Sequence, residues 1–326
     1  MKAPSFWWTP ERGLAAHLLA PAGAVVGAVA ARRMRRRPGA RAAVPVLCVG
    51  NPTVGGAGKT PVAIAIAGIL KADGLRPVFL TRGYGGRLAG PLRVGGEGAA
   101  DVGDEALLLA EIAPTIVSHD RAAGGALAAT LGDVIVMDDG FQNPGLAKDW
   151  AALVIDRAVG IGNGLVTPAG PMRAPLAAHA PFADAMILVD AGEGREAPRP
   201  DITPDYNARL EPFTAEPIAG RRVLAFAGIG RPEKFFASAR ALGAEIVEAR
   251  PFPDHHPFGD DEIAAIEAAA AAQDLQPVTT RKDLMRLRTG GAAGRRLAAR
   301  CVTVEVRAVL DPGLIEAVRV AARRRA

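Results

Sequence analysis

The chain has 326 residues, enough for two domains with cores of their own. Its net charge of +5 is local, because Arg32, Arg33, Arg35, Arg36, Arg37 and Arg41 crowd together and the remainder is slightly acidic. That excludes a broad nucleic-acid surface and leaves a basic patch suited to anions or lipid head groups. Cys48 and Cys301 fall in apolar strand patterns without CxxC spacing. They exclude a disulfide framework and a cysteine metal site, and they suit a reducing compartment.

The first 43 residues form a unit of their own. Phe6-Trp7-Trp8 precedes a charge-poor run, Gly13 to Ala31, which ends in the arginine cluster. A signal peptide carries its positive charge before the apolar run, and here it follows. Leu14, Leu18, Pro21, Val25 and Val29 recur at helical spacing. The expectation is an amphipathic helix lying on a membrane, with tryptophans at the interface and arginines on anionic lipid. The competing reading is a first helix packed on a soluble domain.

From residue 44 the pattern alternates. Strands are expected at Val44–Val49, Pro77–Thr81, Thr115–Ser118, Val134–Met137, Leu153–Asp156 and Met186–Val189. Helices are expected at Pro61–Ala72, Asp104–Ile112 and Arg121–Leu131. Short apolar strands separated by helices imply an α/β fold, a parallel sheet covered on both faces, here over 44–215. The Pro- and charge-rich passage Gly192–Pro204 marks the end of that core. A smaller α/β domain is expected over 216–326. It begins at strand Arg222–Ala227 and continues through helix Glu233–Leu242, strand Glu245–Glu248, helix Asp260–Ala272, strand Val302–Val306 and a helix after Pro312.

Chemistry concentrates in a few motifs. Thr53-Val-Gly-Gly-Ala-Gly-Lys-Thr60 lies between an apolar strand and a helix, the arrangement of a P-loop. Thr53, Gly55, Gly56, Ala57 and Gly58 would wrap phosphates with backbone N–H groups at a helix N-terminus. Lys59 can reach the β- and γ-phosphates, and the Thr60 hydroxyl can ligate Mg²⁺. Thr53 stands where the usual spacing has glycine. Val134-Ile-Val-Met-Asp138-Asp139 places two acids at a strand end, where P-loop proteins hold Mg²⁺, and the choice between them stays open. Thr81-Arg82-Gly-Tyr84-Gly-Gly86 offers a cation and an aromatic face. Asp104 and Glu105 open a helix, and Asp254-His255-His256 sits in a Pro- and Phe-flanked loop. A histidine beside an aspartate can be held in one tautomer and share a proton. A guanine-reading Asn-Lys-x-Asp is absent, which speaks against a GTPase. A partitioning ATPase would leave the Arg82 and His255 motifs without a use.

Together these motifs are recognisable. The chain resembles the tetraacyldisaccharide 4′-kinase (lipid A 4′-kinase) family over nearly its whole length. The resemblance rests on Pro45–Asn51, Gly55–Pro61, Arg82–Gly86, Val102–Glu105, Asp138–Gln142, Pro168–Arg173, Asp254-His255 and Thr279–Asp283. Thr53 is usual in that family. Asn143 replaces a frequent histidine, and Arg281 stands where an acid is common. The resemblance implies ATP-dependent phosphorylation of the 4′-hydroxyl of an acylated glucosamine disaccharide 1-phosphate, with Mg²⁺ near Thr60, Asp138, Asp139 and Glu105. It implies Asp104 as the acid that helps deprotonate the sugar, supported by His255 and its neighbour Asp254. Arg173 would act on the transferring phosphoryl group, and Arg82 and Tyr84 on the substrate. It further implies work on the lipid surface at the cytoplasmic face of a bacterial inner membrane, a hinge near 205–220, and no obligate protein partner.

Overall fold

The first lobe runs through helix α1 (Leu14–Met34), β1 (Val46–Gly50), α2 (Lys59–Ala72), β2 (Pro77–Thr81) and β3 (Leu92–Arg93). Next come α3 (Ala99–Val102), α4 (Asp104–Ala110), β4 (Thr115–Val117), α5 (Arg121–Ala128) and β5 (Val134–Asp138). β6 (Trp150–Asp156), α6 (Leu176–His179), β7 (Ala185–Asp190) and β8 (Asp205–Phe213) complete it. The second lobe holds β9 (Arg222–Ala227), α7 (Pro232–Ala241), β10 (Glu245–Pro251), α8 (Asp260–Ala272), β11 (Gln276–Thr280), α9 (Arg281–Arg288) and α10 (Ala292–Ala298). β12 (Val302–Leu310) and α11 (Pro312–Arg323) close the chain. This computed structural model describes residues 3–190, 202 and 204–324, so most of the passage Gly192–Pro204 lies outside the described residues.

The described strands join in one sheet, ordered β10-β9-β11-β12-β8-β7-β6-β1-β5-β2-β4-β3. Pairing is parallel except where β12 meets β8 and β3 meets β4. The expected parallel α/β sheet of P-loop type therefore forms. Strand periodicity explains its two covered faces. Leu47 and Val49 of β1 face a core with α2, while Val46 and Cys48 face another with Met34 of α1 and Ala128 of α5.

β12 joins the lobes. Val302–Val304 pair with β11 in the second lobe, and Glu305–Leu310 pair with β8 in the first. Because β12 runs against β8, the C-terminal ends of β9, β10 and β11 point back toward those of β1, β2 and β5. A crevice at strand C-termini is where open α/β sheets place their ligands. The lobes also share an apolar core, in which Val102, Ala106 and Leu107 pack with Phe226, Ile263, Leu284 and Leu287. The division expected at 216–326 misses one return. Leu314, Val318 and Ala321 of α11 pack with α2 in the first lobe's core.

Helix α1 turns its small residues inward. Ala16, Gly23, Gly27 and Met34 are buried, whereas Leu14, Leu18, Val25 and Val29 are 77%, 72%, 66% and 65% exposed. The side chains picked out by helical spacing thus face away from the protein. Among the described residues α1 alone is long and apolar enough to cross a membrane. It sits on the segment before α6: a Cβ at Gly23 would lie 2.6 Å from Val166 O, and one at Gly27 3.2 Å from Pro175. Trp7 Nε1 donates to Pro168 O at 3.0 Å, fixing the start of the chain there. Gly23→Val should therefore lift α1 from its seat. Limited proteolysis between residues 35 and 45 should accelerate in this variant, whereas Ala24→Val, at an exposed position, should leave the rate unchanged. Equal rates in the two variants would contradict this seating.

Candidate active site

The loop between β1 and α2 is a phosphate cradle by its backbone. Gly55 has φ 102° and Gly58 φ 86°, conformations that glycine adopts without a Cβ penalty. Gly58 caps α2, whose first residues are Lys59 and Thr60. A Cβ at Gly55 or Gly56 would meet no protein atom, so the space over the loop is open to a ligand. Thr53 needs no glycine because its φ is not positive. It pairs with Met172, and Val54 N donates to Pro171 O at 2.8 Å. The segment that seats α1 therefore also buttresses the loop.

The two acids at the end of β5 have different partners. Asp138 is buried, and its Oδ2 accepts the Thr60 hydroxyl at 2.9 Å while Oδ1 has no hydrogen-bond partner. Burial, reinforced by Glu105, pushes its pKa up to about 7. Asp139 turns away with φ 58° and takes a two-pronged contact from Arg173, Nη1 to Oδ1 at 2.7 Å and Nη2 to Oδ2 at 3.0 Å. Arg173 Nε also donates to Thr53 O at 3.0 Å, and Lys59 Nζ lies 4.0 Å from Asp139. Burial alone would raise the Asp139 pKa, but Lys59 and Arg173 hold it below its usual value. Among the described residues no group of three or more His, Cys, Asp or Glu side chains is arranged to hold a metal alone. A buried hydroxyl–carboxylate pair with an unused oxygen does fit Mg²⁺, which takes one or two carboxylates and completes its shell with phosphate and water. Thr60 and Asp138 are that pair, Asp139 is engaged by cations, and Glu105 is engaged by Lys282 at 2.5 Å.

The opposite wall comes from α4 and the second lobe. Asp104 is 2% exposed, and its Oδ2 lies 3.1 Å from His255 Nδ1. Arg286 Nη1 donates to the same oxygen. Burial would raise the Asp104 pKa, yet His255, Lys282 and Arg286 keep it below the usual carboxylate value. The hydrogen bond to Asp104 raises that of His255. Asp254 is exposed, with Oδ1 3.8 Å from His255 Nε2. Tyr84 lies against the imidazole with ring centres 5.4 Å apart, and Arg82 is exposed beside it in the chain. His256 instead bonds Glu262 at 2.8 Å and stacks on Phe252, a structural role.

Several site residues have contacts that neither motif nor spacing announces. Lys282 and Arg286 sit one helical turn apart on α9, a spacing that reads as ordinary helix surface. Arg121 is 3% exposed, with Nη1 donating to Thr81 O at 3.2 Å and to Ser118 O, close to the charges of Asp139 and Asp138. Gln142 Nε2 donates to Asn51 O at 2.8 Å and contacts His179 Nε2 at 3.1 Å. His179 Nδ1 in turn lies 3.1 Å from Pro175 O. The carbonyl needs a proton on Nδ1 and the Gln142 amide needs none on Nε2, which fixes the neutral tautomer. The two departures from family pattern find local uses. Asn143 Oδ1 accepts Gly145 N at 2.7 Å in a turn, and Arg281 pairs with Glu111 of the first lobe at 2.6 Å.

Burial pushes the His179 pKa down from 6.5 to about 4. The unfolded chain takes up this proton below about pH 6.5 and the folded chain only near 4, so the contribution is complete above 6.5 and drains as pH falls toward 4. A gap of this size corresponds to about 3 kcal/mol. Urea unfolding of the parent should therefore lose more stability between pH 7 and 4.5 than that of His179→Gln. Parallel curves would contradict the neutral, buried imidazole.

Comparison with known proteins agrees with this geometry. Residues 15–323 match the family model described as tetraacyldisaccharide-1-P 4′-kinase. Tetraacyldisaccharide 4′-kinase of Methylobacterium sp. (strain 4-46) is 57% identical over 296 residues, covering 88% of this chain and 89% of that protein. The protein of the same name from Methylobacterium nodulans is 55% identical, covering 88% of each. In fold, the chain is similar to LpxK from Aquifex aeolicus, solved in an "apo" form in complex with ATP, at TM-score 0.72 and 24% identity over 94% of this chain and 99% of that one. The chain belongs to the tetraacyldisaccharide-1-P 4′-kinase family.

Proposed function

We propose that this chain transfers the γ-phosphoryl group of ATP to the 4′-hydroxyl of an acylated glucosamine disaccharide 1-phosphate, a lipid A precursor. The observation that carries the reading is a phosphate loop on one lobe together with an Asp104–His255 pair that spans both lobes, its carboxylate buried and its imidazole partly exposed. Lys59 and the amides of residues 53–58 hold the triphosphate. Thr60 and Asp138, with Asp139 and Glu105 nearby, would hold Mg²⁺, which when bound neutralises charge on the β- and γ-phosphates. Arg173 braces Asp139 and the loop carbonyl of Thr53, and from there its charge reaches the transferring group.

Phosphoryl transfer asks the protein mainly for alignment and charge. As the sugar oxygen bonds to the γ-phosphorus, the bond to the bridging oxygen breaks and ADP leaves with its electron pair. The hydroxyl proton passes to the Asp104–His255 pair. The His255 side chain is 29% exposed and that of Asp104 1%, so the imidazole is the accessible member and Asp104 its anionic anchor. Asp254 stands at the outer edge of the imidazole, and Arg82 and Tyr84 border the sugar. A hinge between the lobes would involve residues 214–221, since 205–213 are strand β8. Closure excludes water as a competing acceptor.

The acylated acceptor brings the reaction to a membrane surface, at the cytoplasmic face of the bacterial inner membrane. Supporting this are the exposed apolar face of α1 and the arginines that follow it. The apolar face meets acyl chains and Arg32–Arg37 the anionic head groups.

Transfer of labelled γ-phosphate to synthetic disaccharide 1-phosphate, acylated or deacylated, tests the activity. Label should appear at the 4′-position, best with the acylated acceptor. Lys59→Ala and Thr60→Ala should each lower transfer about 10²–10³-fold. ATP consumption that is the same without acceptor would make the chain a hydrolase instead. Removing residues 1–37 should weaken pelleting with anionic vesicles, and so should high salt for the parent. Unchanged pelleting would place the membrane contact elsewhere.

A further inference from the structure

The wall of the crevice formed by α9 holds a cation that the reaction as described does not use. The Arg286 side chain is 7% exposed. Its Nη1 donates to Asp104 Oδ2, and its Nη2 donates to Asp283 Oδ1 and, at 2.7 Å, to Gly228 O. Gly228 is a shared node. Its carbonyl also accepts the His255 N–H at 3.0 Å, and its own N–H donates to Asp283 Oδ1 at 2.9 Å. The second Asp283 oxygen accepts the Thr280 hydroxyl at 2.5 Å. One guanidinium therefore holds Asp104 by its side chain and His255 through the carbonyl that binds its backbone. His255 needs such support, because its φ of 57° is one a non-glycine residue keeps only when its surroundings fix it.

We propose that Arg286 is a positioning residue for phosphoryl transfer, occupying Asp104 Oδ2 and anchoring the Gly228 carbonyl so that the carboxylate keeps one orientation and the His255 imidazole is aimed from a fixed backbone. The inference rests on the assignment of Asp104 and His255 as the proton-accepting pair. Asp104 Oδ1 makes no hydrogen bond, so every polar contact to this carboxylate falls on one oxygen. Two buried carboxylates, Asp104 and Asp283, share this single guanidinium. The other charges around the pair are spoken for or further out. Lys282 of α9 binds Glu105 of α4, Asp254 is exposed at the far edge of the imidazole, and Tyr84 meets its face. Lysine cannot substitute fully, since a single ammonium on a flexible stem cannot reproduce a planar fork that spans three acceptors.

The test uses full-length Arg286→Lys and Arg286→Met, each alone and combined with Asp104→Asn. Steady-state kinetics are measured with ATP and acylated disaccharide 1-phosphate. The expected kcat falls about 10²-fold in Arg286→Met and about tenfold in Arg286→Lys, with KM for ATP within about twofold of the parent. An ammonium can restore part of the contact to Asp104 and a thioether none, so Arg286→Lys should retain clearly more kcat than Arg286→Met. In the Asp104→Asn background either Arg286 variant should cost little more, because Arg286 acts through the Asp104–His255 pair, which no longer works as a unit once Asp104 is replaced. Parental kcat in both variants, equal losses in Arg286→Lys and Arg286→Met, or full additivity with Asp104→Asn would each overturn the proposal. If Arg286→Met does not fold, Arg286→Lys decides by its kcat and its additivity. If Asp104→Asn alone leaves turnover intact, it is the assignment of the proton-accepting pair that fails.

Discussion

Ion pairing between α4 and α9 is the constraint on which the crevice depends. Asp104 meets Arg286, Glu105 meets Lys282, and Glu111 meets both Arg281 and Arg288. Each pair joins the lobes, and together they run from one end of α4 to the other. A further crossing ties Asp156, at the end of β6, to Arg231 and Lys234 of the second lobe at 3.1 and 2.7 Å. Only Asp104–Arg286 is buried on both sides, and neither it nor the partly exposed pairs add much net stability, since desolvation offsets the attraction of the one and solvent screens the others. Removing one partner of the buried pair is another matter, since the stranded charge then costs about 3–5 kcal/mol. Their value here is registry: they set His255 against Asp104 while a shared apolar core closes the lobes around them.

The N-terminal helix connects to the same site through a short segment. Gly23 and Gly27 rest on Val166 and Pro175, and between these lie Met172, which pairs with Thr53, and Arg173, which grips Asp139. His179, just beyond, holds Gln142, whose amide reaches the Asn51 carbonyl at the start of the phosphate loop. One stretch of chain thus seats α1 on one side and buttresses the loop on the other. The glycines of α1 are what permit the close approach, and its larger apolar side chains are left facing outward.

Much of this was legible in the sequence, for physical reasons that also mark the limits. Strands such as Pro77–Thr81 and Arg222–Ala227 are continuous apolar runs bounded by turn residues, and they form where that pattern places them. β8 was not legible, because Asp205–Phe213 is a half-exposed joining strand with no apolar run. β11 and α9 leave little trace in the sequence, because the strand Gln276–Thr280 passes into a helix that opens with Arg-Lys-Asp and shows little apolar content. Sequence order alone places the closing helix in the second lobe. Only the long strand β12, shared between the lobes, returns it to α2. At the site, glycines and paired acids advertise the phosphate loop and the end of β5. Arg286, Arg121 and His179 look like ordinary helix residues until the fold buries their side chains.

The central claim is that Asp104 and His255, brought from different lobes to within 3.1 Å, act on the acceptor as one unit. A kinetic double-mutant cycle tests it most directly, using Asp104→Asn, His255→Ala and the double variant with acylated disaccharide 1-phosphate as acceptor. The account predicts that each single change lowers kcat with little effect on KM for ATP, and that the double variant is scarcely worse than the slower single. Losses that multiply in full would mean two independent roles and would contradict it.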